Sequence, residues 1–308
     1  MSRVDFSRLT TEGVEARSVG LDAMSTEAAV LLMNDMDAEI APAVRRAAPA
    51  IARTVDRIRE AFLTGGRLLY CGAGTSGRLG VLDASECPPT FGAAPAQVVG
   101  LIAGGDRALR FPIEGAEDSP EAGAADMERA GLSDKDVLVA ISASGYAPYC
   151  QGALEYAERV GAFTACVVCV ENSRLSAHAQ ETMAAVVGPE ILTGSTRLRA
   201  GTATKMILNM LTTLAMVGCG KVYGNLMVDV KPSNVKLHDR AERIVMAATG
   251  CSREEAVSAL RETLQPGETT ERPKTAIVML LGGCGAEQAE EALRAEQGFV
   301  RRALERLR

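Results

Sequence analysis

Two short turns rich in glycine and hydroxyls mark where this chain of 308 residues could do chemistry. The first, Gly72-Ala73-Gly74-Thr75-Ser76-Gly77, follows the apolar run Leu68-Leu69-Tyr70 and opens a helical pattern. The second, Ser142-Ala143-Ser144-Gly145, ends the strand-like run DVLVAIS at 136–142. Glycine permits positive φ and close approach of the backbone. A helix N-terminus gathers N–H groups that attract an anion, and Ser76 can cap the helix that follows. Either turn alone reads equally well as an ordinary strand-to-helix turn with a serine cap. Two of them, ending parallel strands, suit a single phosphate monoester. Two carboxylates accompany them: Glu86 in ASECPP and Glu117 in EGAEDS. Composition alone makes Glu86 an exposed residue at a helix end. It makes Glu117 one acid in a solvated run with Glu114, Asp118 and Glu121.

Nucleotide readings of the first turn are weaker. Gly72 to Gly77 fits G-x-G-x-x-G, but Asp106 comes too late for the acidic residue of a dinucleotide fold. Arg78-Leu79 stands where a Walker loop requires Lys and Ser or Thr. A third loop, GSTRLRAGTATK from Gly194, adds Ser195, Thr196 and Lys205 as further candidates for binding a substrate. A helix cap and a solvated lysine fit those residues about as well.

Composition narrows the chemistry further. The formal charge is −6 and no polybasic run exists, so neither nucleic acid nor an anionic membrane is expected as a partner. No apolar run nears 18 residues and MSRVDFSRLTTEG is polar, which predicts a cytoplasmic protein. The only histidines are His178 and His238, so carboxylates become the default acid–base groups. The eight cysteines are dispersed among apolar residues, as buried thiols in a reducing compartment would be. Cys166 and Cys169 lie three apart in the strand-like run FTACVVCV, on opposite faces, so they are not expected to share a metal. There is no tryptophan to stack nucleic-acid bases.

The elements that would position these groups alternate along the chain. Apolar periodicity predicts helices from Ser25 and after Pro42, the latter ending at Thr64-Gly65-Gly66. Strands are expected at 67–71, 97–102, 136–142, 163–170 and 183–187, with helices at 76–86, 120–130, 147–160 and 173–180. Pro88 and Pro89 are expected to stop the first of these helices. Near-continuous Val/Ile/Leu strands alternating with helices predict an α/β, doubly wound, mostly parallel sheet. Ligands of such sheets bind beyond the carboxyl ends of the strands. A long helix at about 199–217, another at 232–248, a Ser252-capped helix and two more complete the chain. The expected division is a helical N-terminal segment (1–57), a sheet domain (58–221) and a helical C-terminal region (222–308), with a small appendage from about 250.

GAGTSGRLG at 72–80 together with ISASG at 141–145 resembles the sugar-isomerase (SIS) domain, a doubly wound fold that binds phosphosugars. LDASECPPTFG at 82–92, IEGAEDS at 113–119, GSTRLRAGTATKMILNMLTT from 194 and GKVYGNLMVDV to 230 are similar to the N-acetylmuramic acid 6-phosphate etherase family. That resemblance covers about residues 8–300. It implies a lyase that cleaves the D-lactyl ether to N-acetylglucosamine 6-phosphate and D-lactate, in peptidoglycan recycling, without metal or organic cofactor. It implies phosphate binding through Thr75, Ser76, Gly77, Ser142, Ser144 and Gly145, with Ser195, Thr196 and Lys205 nearby. By the same resemblance Glu86 is the acid that assists lactate departure and Glu117 the base that takes the proton from carbon 2. SIS domains commonly pair, so a homodimer is expected, with helices at 25–63 contributing contacts. A non-catalytic phosphosugar regulator and an aldose–ketose isomerase are the other activities the fold can carry. The family's ASGRTPY stands here as ASGYAPY, placing Tyr146 and Ala147 in the second turn.

Overall fold

The computed structural model describes residues 9–232, 234–264 and 270–308. Its contacts divide them into two units, one of residues up to Ser85 with Ala96–Thr212, the other of Glu86–Pro95 with Thr213–Arg308.

The first unit holds a five-stranded, all-parallel sheet in the order β2-β1-β3-β4-β5. The strands are β1 (Leu68–Gly72), β2 (Val98–Ile102), β3 (Val137–Ile141), β4 (Phe163–Val168) and β5 (Glu181–Ala184). Every residue of β1 and β3 is buried, as a parallel sheet covered on both faces requires. The expected doubly wound α/β fold is therefore found, and the mostly parallel sheet is wholly parallel among the described residues. Three helices precede the sheet: α1 (Thr26–Asp37), α2 (Ile40–Arg46) and α3 (Ala48–Leu63). Pro42 lies inside the short α2 instead of starting a helix. Between strands run α4 (Gly74–Phe91), α5 (Pro120–Arg129) and α6 (Pro148–Val160), and α7 (Arg199–Gly218) follows the sheet. The segment expected as a helix at 173–180 holds only a short 3-10 turn, Arg174–Ala177.

The order places β1 and β3 side by side, with their outgoing connections diverging to β2 on one side and β4 on the other. This is the switch point where open α/β sheets leave a crevice. Register sharpens it: Gly72 pairs with both Ile102 and Ile141, so three strands end at one level. The turns after β1 and β3 leave the sheet as neighbours. At the opposite end Arg67 and the buried Asp136 lock β1 to β3. Asp136 accepts from the Arg67 backbone at 2.8 Å, from its guanidinium at 2.8 Å, and from the Ser133 N–H at 3.0 Å. Burial pushes the Asp136 carboxyl up, but these donors outweigh it and hold the group below its ordinary range.

The second unit is helical. Its core is formed by α8 (Val235–Thr249), α9 (Arg253–Glu262), α10 (Pro273–Gly282), α11 (Ala286–Ala295) and α12 (Val300–Arg306). Ser252 caps α9 as expected, in a complete capping box with Glu255. The single helix expected after Gly285 is two, because Gln297 and Gly298 adopt positive φ between α11 and α12. Lys221 and Lys274 pair with Asp229 at 3.0 and 2.7 Å. Part of the expected linker, 265–269, lies outside the described residues.

Candidate active site

The first turn is shaped by three glycines with three different jobs. Gly74 adopts φ +52, open to glycine and strained for other residues. A Cβ on Gly72 would lie 2.8 Å from the Gly77 nitrogen, and one on Gly77 would lie 2.5 Å from the Gly72 oxygen and 2.6 Å from Ile102 Cγ1. Their absent side chains let α4 start directly on the ends of β1 and β2. The Gly77 N–H donates to the Ala73 carbonyl at 3.2 Å, so the helix ladder begins there. The N–H groups of Gly74, Thr75 and Ser76 are thereby left without a partner inside the helix. Ser76 sits within the first turn of α4, not at its cap, and both hydroxyl residues are half-buried.

The second turn is held from below. Gly145 has φ +66, and a Cβ there would come within 2.2 Å of Ser173 Cβ. Its N–H donates to the Ser142 carbonyl at 3.0 Å, and its carbonyl accepts from the Leu175 N–H at 3.1 Å. Ser142 is buried, and its Oγ lies 3.5 Å from that of the half-buried Ser144. Ser144 Oγ also accepts weakly from the Tyr146 N–H at 3.4 Å. α6 begins three residues later, at Pro148. The Arg174 guanidinium lies 5.5 Å from the centre of the Tyr146 ring.

The third loop meets the first. A Cβ on Gly201, in the first turn of α7, would lie 3.7 Å from Thr75 Cγ2 and 3.8 Å from the Thr196 carbonyl oxygen. Ser195 and Thr196 are half-buried and Lys205 is exposed one turn further along α7. Neither Ser195 nor Thr196 caps that helix. The buried carboxylate of Glu190 does, accepting from the N–H groups of Arg199 at 2.9 Å and Ala200 at 3.0 Å. The anion position at the start of α7 is therefore filled by the protein itself. Sequence reasoning missed Glu190 because it lies nine residues before Arg199, outside the local capping spacing.

Glu117 lies on the long connection after β2, in the 3-10 turn Ala116–Asp118, entered through Gly115 at φ +72. Its side chain is exposed, and it lines a cavity of about 210 Å³ with Gly74, Arg78, Ile113 and Glu114. The base candidate and the start of α4 thus share one recess. Arg78, which sequence reasoning used only to reject a Walker loop, reaches across it. Its Nε donates to the Leu109 carbonyl at 3.0 Å and its Nη2 to the Ala108 carbonyl at 2.7 Å.

Glu86 stands elsewhere on α4. It is exposed and comes twelve residues after Gly74 in the chain. The two prolines do not stop the helix beyond it: α4 runs through Pro88 and Pro89 to Phe91. Proline's φ is helical, and the lost bonds fall on the Ala84 and Ser85 carbonyls. One turn before Glu86, Asp83 is buried and accepts from Tyr70 Oη at 2.9 Å, Asn209 Nδ2 at 2.8 Å and Thr212 Oγ1 at 3.3 Å. Burial pushes the Asp83 carboxyl up, against these donors and the charge of Lys205. Asp83 ties α4 to β1 and α7 and so fixes the rotation of the helix that carries Thr75, Ser76 and Arg78.

Neighbouring parallel strands that each end in a glycine–hydroxyl turn at the topological switch point are the arrangement of an SIS-type protein. Residues 50–158 match the glucokinase regulatory protein N-terminal SIS domain and residues 115–214 the SIS domain. The phosphoheptose isomerase of Francisella tularensis is similar in structure, with TM-score 0.48 and 18% identity over 63% of this chain and 100% of that one. Sequence relatives are far nearer. The N-acetylmuramic acid 6-phosphate etherase of Photorhabdus laumondii is 50% identical over 306 residues, 99% of this chain and 100% of that protein. N-acetylmuramic acid 6-phosphate etherase 2 of Enterococcus faecalis is 50% identical over 301 residues, 98% of this chain and 100% of that protein. The chain belongs to the N-acetylmuramic acid 6-phosphate etherase family. No described helix is long and apolar enough to cross a membrane.

Proposed function

We propose that this protein is a carbon–oxygen lyase that releases D-lactate from N-acetylmuramic acid 6-phosphate, leaving N-acetylglucosamine 6-phosphate. The observation that carries the reading is identity of one half, over nearly the whole chain, to relatives bearing that name. The phosphate would sit between the unpaired N–H groups at Gly74–Ser76, the Thr75 and Ser76 hydroxyls, and Ser142 and Ser144. Gly77 and Gly145 let the backbone come close, and the side-by-side exit of the two turns supports this placement. The approach of Gly201 to Thr75 and to the Thr196 carbonyl supports Ser195, Thr196 and Lys205 as further substrate contacts in this reading.

An ether at carbon 3 is a poor leaving group, but opening the sugar to its aldehyde acidifies the proton at carbon 2. In this reading Glu117, as carboxylate, takes that proton, and the electron pair left behind expels the lactyl oxygen from carbon 3. Glu86, as carboxylic acid, protonates the departing oxygen. Water then adds to carbon 3 of the unsaturated aldehyde, and carbon 2 regains a proton. Base and acid must begin in opposite protonation states.

A homodimer belongs to the reading. Glu86 comes ten or more residues after the turn that would hold the phosphate, and in this reading a second copy brings the same residue to it. Exposed Val30 and Leu31 on α1 and Leu82 on α4 are apolar side chains that a partner would cover. A cytoplasmic location fits a substrate made from recycled wall sugar.

Incubation with N-acetylmuramic acid 6-phosphate and measurement of both products tests the proposal. Equal amounts of D-lactate and N-acetylglucosamine 6-phosphate are expected. Tight binding without turnover would favour the regulator reading, which the match at residues 50–158 keeps in view. A ketose product without lactate would mean an isomerase.

A further inference from the structure

The recess that Glu117 lines holds a cation that forms no ion pair among the described residues. This is Arg78, which is half-buried. Its only hydrogen bonds there are those from Nε to the Leu109 carbonyl and from Nη2 to the Ala108 carbonyl. Both use the same side of the planar guanidinium. That leaves the end-on edge, two N–H groups of Nη1 and the second of Nη2, ready for a bidentate acceptor. The carbonyls fix the fork in place, so little side-chain freedom remains to be lost on binding.

The rest of the recess is mostly small and apolar: Ala73, Ala103, Ala108, Pro112, Ile113 and Ala116 line it with Arg78. Glu114 and Glu117, both exposed, line it as well. A volume of about 210 Å³ is too small for a hexosamine phosphate, and suits a branch of one. A sugar hydroxyl would waste the apolar walls, and an enolate oxygen would not need them. A group with one methyl and one carboxylate satisfies both features. The guanidinium also supplies the positive charge that lets such an anion sit near Glu114 and Glu117.

We propose that Arg78, with the apolar recess between α4 and residues 103–117, is the specificity site for the lactyl group: the guanidinium pairs with its carboxylate and the alanines and Ile113 receive its methyl. This rests on the lyase reading above and names the part of the substrate that separates it from other hexosamine phosphates. Arg78 binds the leaving group and takes no proton, while Glu117 works on carbon 2 from the same recess.

The test compares two substrates, N-acetylmuramic acid 6-phosphate and its lactyl carboxamide, on the wild-type protein and on Arg78→Met. Wild type is expected to prefer the carboxylate by about ten- to hundred-fold in kcat/KM, the range of a hydrogen-bonded charge pair. Arg78→Met is expected to bring that ratio close to one by losing activity on the carboxylate substrate. A wild-type ratio near one, or a ratio unchanged in Arg78→Met, overturns the inference. The wild-type ratio needs no variant, so misfolding of Arg78→Met cannot shelter the proposal. Wild-type release of lactate from the acid and of lactamide from the carboxamide with like kcat/KM would leave the lyase reading standing and remove this one. Release from neither would remove both.

Discussion

In the proposed mechanism Glu117 is the residue on which the chemistry turns. General base catalysis contributes about 10²- to 10⁴-fold, so Glu117→Gln should lower kcat by that order with KM little changed, in a steady-state lactate assay. The hydroxyls should behave in the opposite way. Ser142→Ala removes one proposed donor to the phosphate, and KM should rise about tenfold with kcat nearly constant. Asp136 makes a prediction about stability. Its folded pKa is depressed, so its contribution is present above the unfolded value of about 3.9 and is lost as pH falls through the lower folded value. Asp136→Asn should cost about 1.5–3 kcal/mol near neutral pH, and the gap from wild type should close below about pH 4 in urea titrations. Asp83, whose pKa is raised, is unchanged in both proteins and cancels in that difference. The two glycine–hydroxyl turns were legible from their pattern after apolar runs, and the two carboxylate candidates stood out only because long, unusual phrases surround them. It did not show the work of Arg78 or Glu190, whose partners at Ala108, Leu109, Arg199 and Ala200 become neighbours only through the fold.

Helix and strand placement was legible wherever one pattern dominated. β1, β3 and β4 read as continuous apolar runs, and α9 announced itself through Ser252 and Glu255. Punctuation was the weaker signal. Pro88 and Pro89 lie in the last turn and a half of α4, where few ladder bonds remain to be lost. Gln297-Gly298 breaks what looked like one amphipathic run, because a positive φ on glutamine leaves no mark in the sequence. Residues 173–180 pack as a short 3-10 turn, since Ser173 and Leu175 are committed to supporting Gly145. The close seating of α4 gives the prediction at this scale. In Gly77→Ala the new methyl would meet the Gly72 oxygen and Ile102, so α4 must lift from β1 and β2. A loss of about 1–3 kcal/mol is expected in denaturant titration. Because Thr75 and Ser76 move with the helix, KM should rise as well. A variant with wild-type stability and KM would show that the start of α4 has slack this packing denies.

At the scale of the whole molecule, the parallel sheet and its switch point followed from alternating strand and helix patterns, whereas the proposed pairing of two copies is argued from the family likeness and exposed apolar residues of α1 and α4. Leu31→Asp places a charge on that α1 surface. Light scattering should find the wild type dimeric and the variant shifted toward monomer, with lactate release falling in step. A wild-type monomer with full activity would contradict the shared site. The central claim is that the ether breaks by removal of the carbon 2 proton, and one measurement tests it most directly. The reaction is run in deuterium oxide, and the sugar product is analysed by NMR after a single turnover. The account predicts N-acetylglucosamine 6-phosphate carrying deuterium at carbon 2 in every molecule that has released lactate. Lactate released with the original hydrogen still on carbon 2 would contradict it.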